Sequence, residues 1–323
     1  MCHTLAGAAL ARSGLGSRSA LGATALIVGA NLPDLDVLAH LAGPHADLEW
    51  RRGWTHGVLA MAVLPFVLTG VLVSGHRLSR RLRNPATRPL LPGQLLILSF
   101  TAILSHPILD TLNTYGVRWL MPFSRKWFYG DTLFIIDPWV WLALVLGVYY
   151  SRRRQTWGRP QPTAPARVAV AGVALYASAM AISGRSARAI VARDVSALSA
   201  KPVHTAMTGP VPLDPTVRRF VVEQDGEYRV GIFRWTRRPH VNREELSAFP
   251  RGRPSHPAFL VAANTQPARQ FLGWARFPTF EIEQVAPGRY LVHMVDLRYA
   301  RSPEDSFGAL TVPVTLGSGS EPR

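Results

Sequence analysis

GQLLILSFTAILSHPILD (93–110) is an almost wholly apolar stretch that ends in two ionisable side chains, His106 and Asp110. A helix that crosses the hydrocarbon core of a bilayer needs about 20 such residues. His106 and Asp110 lie four positions apart, so a helix presents their side chains on one face. An ionisable group at membrane depth costs free energy and is therefore a functional candidate. The stretch predicts both a membrane helix and a site at its end.

Four further apolar segments approach the length that a membrane crossing requires. They are LGATALIVGANL (21–32), HGVLAMAVLPFVLTGVLVS (56–74), TLFIIDPWVWLALVLGVYY (132–150) and VAVAGVALYASAMAI (168–182). The first of these can pair with the short HTLAGAALA (3–11) as a helical hairpin. The predicted fold class is therefore a mainly α polytopic membrane helical bundle with about five membrane segments.

The sequence changes character after residue 184. FVVEQDGEYRVGIFRW (220–235) and FEIEQVAPGRYLVHMVDLRY (280–299) alternate apolar and polar residues around DG and PG, which is the pattern of β-hairpins. The stretch 192–214 predicts a short helix followed by a Pro-rich entry. We therefore predict a transmembrane domain over 1–184 and a β-rich or α+β extramembrane domain over 185–323 that ends in a loose tail.

The basic residues of the chain, whose formal net charge is +16, gather in short blocks beside the apolar segments. This distribution is typical of membrane proteins that contact a lipid bilayer, and it argues against nucleic-acid binding. The positive-inside rule predicts that the blocks at 76–88 and 151–160 face the cytoplasm. The chain is then a multi-pass protein of the cell (inner) membrane, and residues 185–323 are extracytoplasmic.

This threading predicts that motifs far apart in sequence meet at the outer end of the bundle. The motifs are HTLAGA (3–8), NLPDLD (31–36), RRGWTHG (51–57) and SHPILD (105–110). Because Cys2 is the only cysteine, a metal ion would have to be held by His, Asp or Glu. Histidine with carboxylate is the ligand set of a catalytic zinc, manganese or similar divalent ion. The motifs provide for one ion, or for two if Asp34 and Asp36 both take part.

The ordered series HTLAGA, NLPDLD, RRGWTH, SHPILDTLNTYG and GDTLFIIDPW resembles the YdjM-like family of membrane-bound metal-dependent hydrolases across residues 1–150. The resemblance implies an integral membrane protein with a divalent-metal hydrolase site. Its ligand pattern is similar to that of zinc-dependent phospholipase C and P1-type nucleases, which hydrolyse phosphodiesters. Carried onto the matching positions, the resemblance implies the metal ligands His3, Asp34, His56, His106 and Asp110. Members often have a histidine where this chain has Arg51, a gap that His40 or His45 could fill.

Further residues are predicted to act in catalysis or in binding the substrate. Asp36 is the candidate general base or bridging ligand. Arg51 and Arg52, together with Arg125, are candidates to hold an anionic headgroup or a phosphate. A site at the membrane boundary indicates a lipid or lipid-linked substrate. The predicted function is a membrane-embedded, divalent-metal-dependent hydrolase of a phosphodiester or an ester.

Two other functions remain open. A metal- or proton-coupled transporter would use intramembrane His and Asp as a relay, and it predicts polar residues at the midplane of several helices. A structural membrane protein would use the metal only to staple helices together, and its site would be coordinatively closed. Asp131 and Asp137 are predicted mainly to cap the next helix, with orientation of the ligand histidines as the alternative.

Overall fold

The computed structural model describes residues 2–42, 48–82 and 89–317. The chain divides into two compact units, Met1–Ile182 and Ser183–Arg323, and the predicted boundary after residue 184 lies two residues from that division. His45, the end of the arginine block at 76–88 and the last residues of the predicted tail fall outside the described residues.

The first unit is helical. Its elements are α1 (Cys2–Arg12), α2 (Gly22–Gly29), a 3-10 segment (Leu32–Ala42), α3 (Val58–Leu82), α4 (Pro92–Thr111), α5 (Pro138–Thr156) and the start of α6 (Ala164–Ser199). Four stretches are long and apolar enough to cross a membrane: Gly22–Ala39, Val58–Leu78, Pro92–Thr111 and Ala164–Ser199. The predicted polytopic membrane bundle is therefore confirmed.

Helix α5 differs from the predicted segment 132–150. It begins at Pro138, because the side chain of Asp137 accepts hydrogen bonds from the first free backbone N–H groups of the helix. The capping role predicted for Asp137 is thus confirmed. The last turn of α5 contains arginines, so α5 is not among the four membrane-length apolar stretches in the described part of the chain.

Small residues let helices α1, α2 and α4 approach each other closely. At Gly7 in α1, an added Cβ would lie 2.5 Å from the carbonyl oxygen of Leu26 in α2. Glycine is therefore the residue that this helix crossing requires. Helix α2 also packs on α4 through buried apolar side chains, among them Leu26, Ala30, Leu98 and Ala102. The end of α2 consequently lies beside the last turns of α4, where the site forms.

The second unit contains two antiparallel sheets. One sheet has the order β1 (Thr205–Pro210), β2 (Val217–Gln224), β3 (Glu227–Arg234) and β4 (Ser247–Pro250). The other has the order β5 (Pro278–Ala286), β6 (Arg289–Asp296) and β7 (Ala309–Thr315), and α7 (Pro257–Ala263) and α8 (Gln266–Trp274) precede it in sequence. The hairpins predicted at the DG and PG turns are present as β2–β3 and β5–β6, so the predicted α+β domain is confirmed.

The stretch 192–214 is organised differently from the prediction. Its first residues are the end of the long helix α6, and β1 begins within its Pro-rich part at Thr205. Helix α6 continues to Ser199 because an apolar face of the helix packs against β2 and β3. That face and its partners form one buried cluster of Ala187, Val191, Val195, Phe220, Val222, Phe233 and Val241.

Candidate metal centre

Three segments that are distant in sequence supply four side chains to one cluster. Asp34 comes from the 3-10 segment, His56 from the loop before α3, and His106 and Asp110 from the last turns of α4. Each side chain offers one ligand atom, and these atoms all lie within 4.8 Å of one another. We call these four residues the ligand cluster. The structure thus brings together four of the five residues predicted to bind a metal ion.

The turn after α2 positions Asp34. The side-chain amide of Asn31 donates a hydrogen bond to the carbonyl oxygen of Ile27 at 2.7 Å, which satisfies one of the last free carbonyls of the helix. The backbone N–H of Asp34 then donates to the carbonyl oxygen of Asn31 at 3.1 Å. This turn leaves the Asp34 carboxylate 3.5 Å from Nε2 of His106.

The His106 imidazole is oriented by the backbone of α2. Its Nδ1 lies 2.7 Å from the carbonyl oxygen of Ala30, and a carbonyl only accepts, so Nδ1 carries a proton. In the neutral form of the ring, Nε2 then carries a lone pair. That atom lies 3.5 Å from Asp34 Oδ1 and 3.6 Å from Asp110 Oδ2, and it is buried without a hydrogen-bond partner. A lone pair facing two carboxylates indicates a position for a cation.

The His56 imidazole is oriented by Asp36. Its Nδ1 lies 3.0 Å from the hydroxyl of Thr55 and 3.3 Å from Asp36 Oδ2, and that carboxylate oxygen accepts hydrogen bonds from the backbone N–H of Arg52 and the hydroxyl of Thr55. Nε2 of His56 lies 3.6 Å from Asp110 Oδ2 and is also buried without a hydrogen-bond partner. Asp36 was predicted as a general base or bridging ligand. The structure places it behind His56, outside the ligand cluster, where it fixes the ring.

Asp36→Ala is therefore expected to weaken metal binding without removing a ligand. Loss of a carboxylate that orients a ligand histidine costs roughly 10- to 100-fold in metal affinity. Titration of purified protein against a chelating dye measures this affinity. Asp225→Ala is the matched control, because Asp225 pairs with His204 at 2.7 Å in the second unit. An equal effect of both substitutions would contradict the orienting role.

Arg52 binds Asp110 through two parallel contacts. Nε of Arg52 lies 3.1 Å from Asp110 Oδ2, and Nη2 donates to Oδ1 at 3.1 Å. Nη1 also donates to Asn113 Oδ1 at 3.0 Å, and the guanidinium lies 4.7 Å from the ring centroid of Tyr115. Arg52 was predicted to hold an anionic headgroup or phosphate. Arg52 is only 5% exposed and its guanidinium binds Asp110, so the structure assigns it to the carboxylate instead.

His3 lies against the ligand cluster but outside it. Its ring stacks on His106 with 3.6 Å between centroids, and its Nε2 lies 3.3 Å from Asp110 Oδ1. His3 and Asp110 also line a cavity of about 30 Å³, together with Cys2, Asn113 and the apolar side chains of Leu109, Leu133 and Trp141. That volume is sufficient for at least one water molecule. His3, predicted as a ligand, is thus placed between the cluster and a small cavity.

When the imidazoles are neutral, the charges of the described residues around the site do not balance. Asp34, Asp36 and Asp110 contribute three carboxylates, and in the described part of the chain the permanently charged cation recorded against them is Arg52, which binds Asp110. With neutral imidazoles, two negative charges remain uncompensated in a largely buried group. Burial of uncompensated charge is costly, and a divalent cation would remove that cost. The donor set and the charge therefore both fit a divalent metal ion.

The remaining predicted residues lie around this centre. Arg51 is half-buried with its guanidinium 5.9 Å from the Tyr115 ring centroid, and Arg125 is exposed. Asp131 is buried, and its backbone N–H donates to the carbonyl oxygen of Asn113 at 3.4 Å. The side chain of His40 is outside the described residues. Asn113 was missed, although it stands in the motif that follows Asp110.

The second unit holds four histidines, each with a partner close to it. His204 pairs with Asp225, His240 contacts the carbonyl oxygen of Arg234, and His256 accepts a hydrogen bond at the start of α7. His293 contacts Thr311 and Glu283. Among the residues described in this unit, these histidines have local partners and form no metal-binding group.

The fold and the site define a class: a membrane protein with several apolar spans and a buried His–Asp centre that fits a divalent ion. The chain belongs to the YdjM inner membrane protein family, whose family model matches residues 1–187. The predicted family resemblance is therefore confirmed. The match covers the membrane unit, and most of the second unit lies beyond it.

Similarity to other known proteins is more limited. The chain is 22% identical over 129 residues to the protein named "Uncharacterized protein YfhP" of Bacillus subtilis (strain 168). That alignment covers 39% of this chain and 36% of YfhP, so the chain matches about a third of its relative's length. No solved structure matches the chain.

Proposed function

We propose that this protein is a membrane-embedded hydrolase that depends on a divalent metal ion, with zinc as the first candidate and manganese as the next. The observation that carries the proposal is the ligand cluster, in which Nε2 of His56 and Nε2 of His106 point towards carboxylates and lack hydrogen-bond partners. Two imidazoles and two carboxylates are a typical ligand set for a hydrolytic ion of this kind.

An accessible side of the cluster supports catalysis over a purely structural role. The side chain of Asp34 is 38% exposed, whereas those of His56, His106 and Asp110 are buried. Catalytic sites keep one coordination position available for water or substrate, and structural sites are closed. The cavity beside His3 and Asp110 provides space for water next to the cluster.

Each residue of the centre has a task in the proposed reaction. When bound, a divalent ion supplies Lewis-acid polarisation and lowers the pKa of water to about 7. Asp34, His56, His106 and Asp110 hold the ion. Asp36 and the carbonyl oxygen of Ala30 keep both imidazoles in the tautomer that leaves Nε2 free. Arg52 holds the Asp110 carboxylate in one orientation, and His3 can hydrogen-bond to a molecule in the cavity.

The proposed substrate is a phosphodiester or ester of a lipid or lipid-linked molecule. This part rests on location, because the cluster lies at the end of α4, one of the four stretches that are apolar enough to cross a membrane. A lipid headgroup or ester bond reaches a site at that depth more readily than a soluble substrate does. The predicted extracytoplasmic orientation of residues 185–323 stays a prediction and is not needed for this proposal.

The test is hydrolysis by purified protein in detergent micelles on a panel of phosphodiester and lipid-ester substrates. We expect at least one substrate to be hydrolysed in a metal-dependent manner. His106→Ala should lower that rate by at least about 100-fold, because it removes a ligand. His76→Ala, a histidine on α3 outside the ligand cluster, should leave the rate within about twofold. Full metal occupancy with no hydrolysis of any substrate would contradict the proposal and indicate that the metal only holds helices together.

A transporter is less well supported by two of the four membrane-length stretches, which pack on each other. A proton or ion relay requires titratable groups along the membrane interior. In Val58–Leu78 and Pro92–Thr111, the titratable residues are His76, Arg77, His106 and Asp110, and all four lie near helix ends. A hydrogen bond from Thr69 to Ser99 joins the middles of these spans, and neither hydroxyl is ionised at neutral pH.

A further inference from the structure

The two loops next to the ligand cluster form one layer. We call residues 48–57 and 112–131 the loop layer. The backbone N–H of Arg118 donates to the carbonyl oxygen of Arg52 at 2.9 Å, and Nη2 of Arg118 donates to the carbonyl oxygens of Glu49 and Arg51. At Gly53, an added Cβ would lie 2.7 Å from the Arg118 guanidinium, so the loops are in close contact. Arg118 thus joins the two loops into a single surface.

The loop layer lies where two membrane spans end. It precedes α3 at Val58 and follows α4 at Thr111, and both helices are apolar enough to cross a membrane. Because the backbone leaves the helices at these positions, we expect the layer to lie at the boundary between hydrocarbon and water, with lipid headgroups as its neighbours.

Large apolar side chains are exposed on this layer. Phe123 is 81% exposed, and Trp50, Trp54 and Leu120 are also exposed. The rings of Trp50 and Trp54 lie 5.9 Å apart. Exposed aromatic side chains at the ends of membrane helices are typical of residues that sit among headgroups and the first acyl carbons. The layer therefore has the apolar part of a lipid-contacting surface.

The same layer carries an excess of positive charge. Its sequence contains five Arg or Lys residues and two Asp or Glu residues, of which Asp131 is buried. Arg52 is committed to Asp110, but Arg125 and Lys126 are exposed next to Phe123 in the chain. Burial lowers the pKa of Arg118, and the nearby charge of Arg125 lowers it further. Positively charged side chains that lie on one layer with few acidic residues indicate a binding surface for an anionic ligand.

We infer that the loop layer binds anionic phospholipid of the surrounding bilayer. Arg125 and Lys126 contact the lipid phosphate, and Phe123, Trp50 and Trp54 lie against the glycerol and upper acyl region. Phosphate is well matched by a guanidinium fork and an ammonium side by side. The inference concerns lipid binding and holds whether or not the proposed hydrolysis occurs. If hydrolysis does occur, the surface collects anionic lipid directly beside the ligand cluster.

The test uses full-length protein in a neutral detergent and lipids with brominated acyl chains, which quench tryptophan fluorescence on binding. Brominated phosphatidylglycerol is expected to bind at least about tenfold more tightly than brominated phosphatidylcholine, given the contribution of two basic residues near a headgroup. Arg125→Gln with Lys126→Gln should reduce that preference to about twofold or less. Both side chains are exposed, so the variant should fold.

The matched control is Arg152→Gln with Arg154→Gln, two exposed arginines in the last two turns of α5. This variant should keep the preference for phosphatidylglycerol. Three results would overturn the inference: equal binding of both lipids by the unmodified protein, the same loss in the control variant, or displacement of the lipid by equimolar glycerol phosphate. The last would indicate a site for a soluble anion. Repeating the measurement with His106→Ala separates lipid binding from hydrolysis.

Discussion

Asp110→Asn is expected to abolish metal binding under conditions in which the unmodified protein retains its ion. The two oxygens of Asp110 lie within 3.6 Å of nitrogen atoms from three histidines and one arginine. No other side chain of the ligand cluster contacts so many of its neighbours. Asparagine keeps the size of the side chain but removes the negative charge. Losing a residue that binds the metal directly should lower the metal affinity more than losing a residue that only orients a ligand. The affinity of Asp110→Asn should therefore fall by at least about 100-fold.

Metal content by mass spectrometry of protein purified with and without added zinc or manganese measures this effect. The unmodified protein should retain about one ion per chain, and Asp110→Asn less than about one-tenth of that. Asp225→Asn provides a control for carboxylate loss elsewhere, because Asp225 contacts His204 in the second unit. Equal metal content in all three proteins would mean that the cluster does not hold the ion.

Arg52→Ala is expected to have the largest effect on stability. It removes the guanidinium that binds both oxygens of Asp110 and leaves a buried carboxylate without that partner. Breaking one side of a buried ion pair costs about 3–5 kcal/mol. Arg52→Lys should recover only part of this loss, since an ammonium cannot reproduce the two parallel contacts. Thermal unfolding of metal-free protein in one detergent measures the difference.

Two comparisons isolate the cause of that loss. Arg51→Ala removes a neighbouring arginine that contacts Tyr115 through a cation–π interaction, and it should cost only about 0.5–1 kcal/mol. The double variant Arg52→Ala with Asp110→Ala should be more stable than Arg52→Ala alone, because it removes the stranded carboxylate. Additive losses in the double variant would show that Arg52 acts independently of Asp110.

Local signals in the sequence marked the motifs of the ligand cluster, and the family resemblance implied the ligand set, of which His3 lies outside the cluster. His106 and Asp110 follow from helical spacing in an apolar segment, and Asp34 and His56 stand in short motifs at the ends of apolar segments. Loop charge predicted that these motifs share one end of the bundle. The structure brings all four side chains together within 4.8 Å.

The surroundings of the cluster could not be predicted in the same way. Arg52 and Asp36 stand in polar motifs where several roles were equally consistent with the sequence. Their partners, Asp110 and His56, are set by how the loop before α3 folds against α4. The carbonyl oxygen of Ala30, which orients His106, has no side-chain signal at all. Tertiary contacts made by backbone atoms are not visible in a residue pattern.

The positions at which two helices begin or end also depend on local signals in one case and on distant contacts in the other. The true start of α5 at Pro138 follows from a capping aspartate, a local signal that the apolar pattern of 132–150 obscured. The continuation of α6 to Ser199 depends on packing against β2 and β3. Such packing is a long-range effect, so the stretch 192–214 was predicted to begin a new, shorter helix.

Anomalous X-ray scattering from crystals of the metal-loaded protein tests most directly whether separate segments converge on one cation. We expect a single strong peak in the membrane unit, bonded to side chains of Asp34, His56, His106 and Asp110. A peak at any other position in that unit, or no peak in crystals of protein that contains the metal, would contradict a metal centre at this cluster.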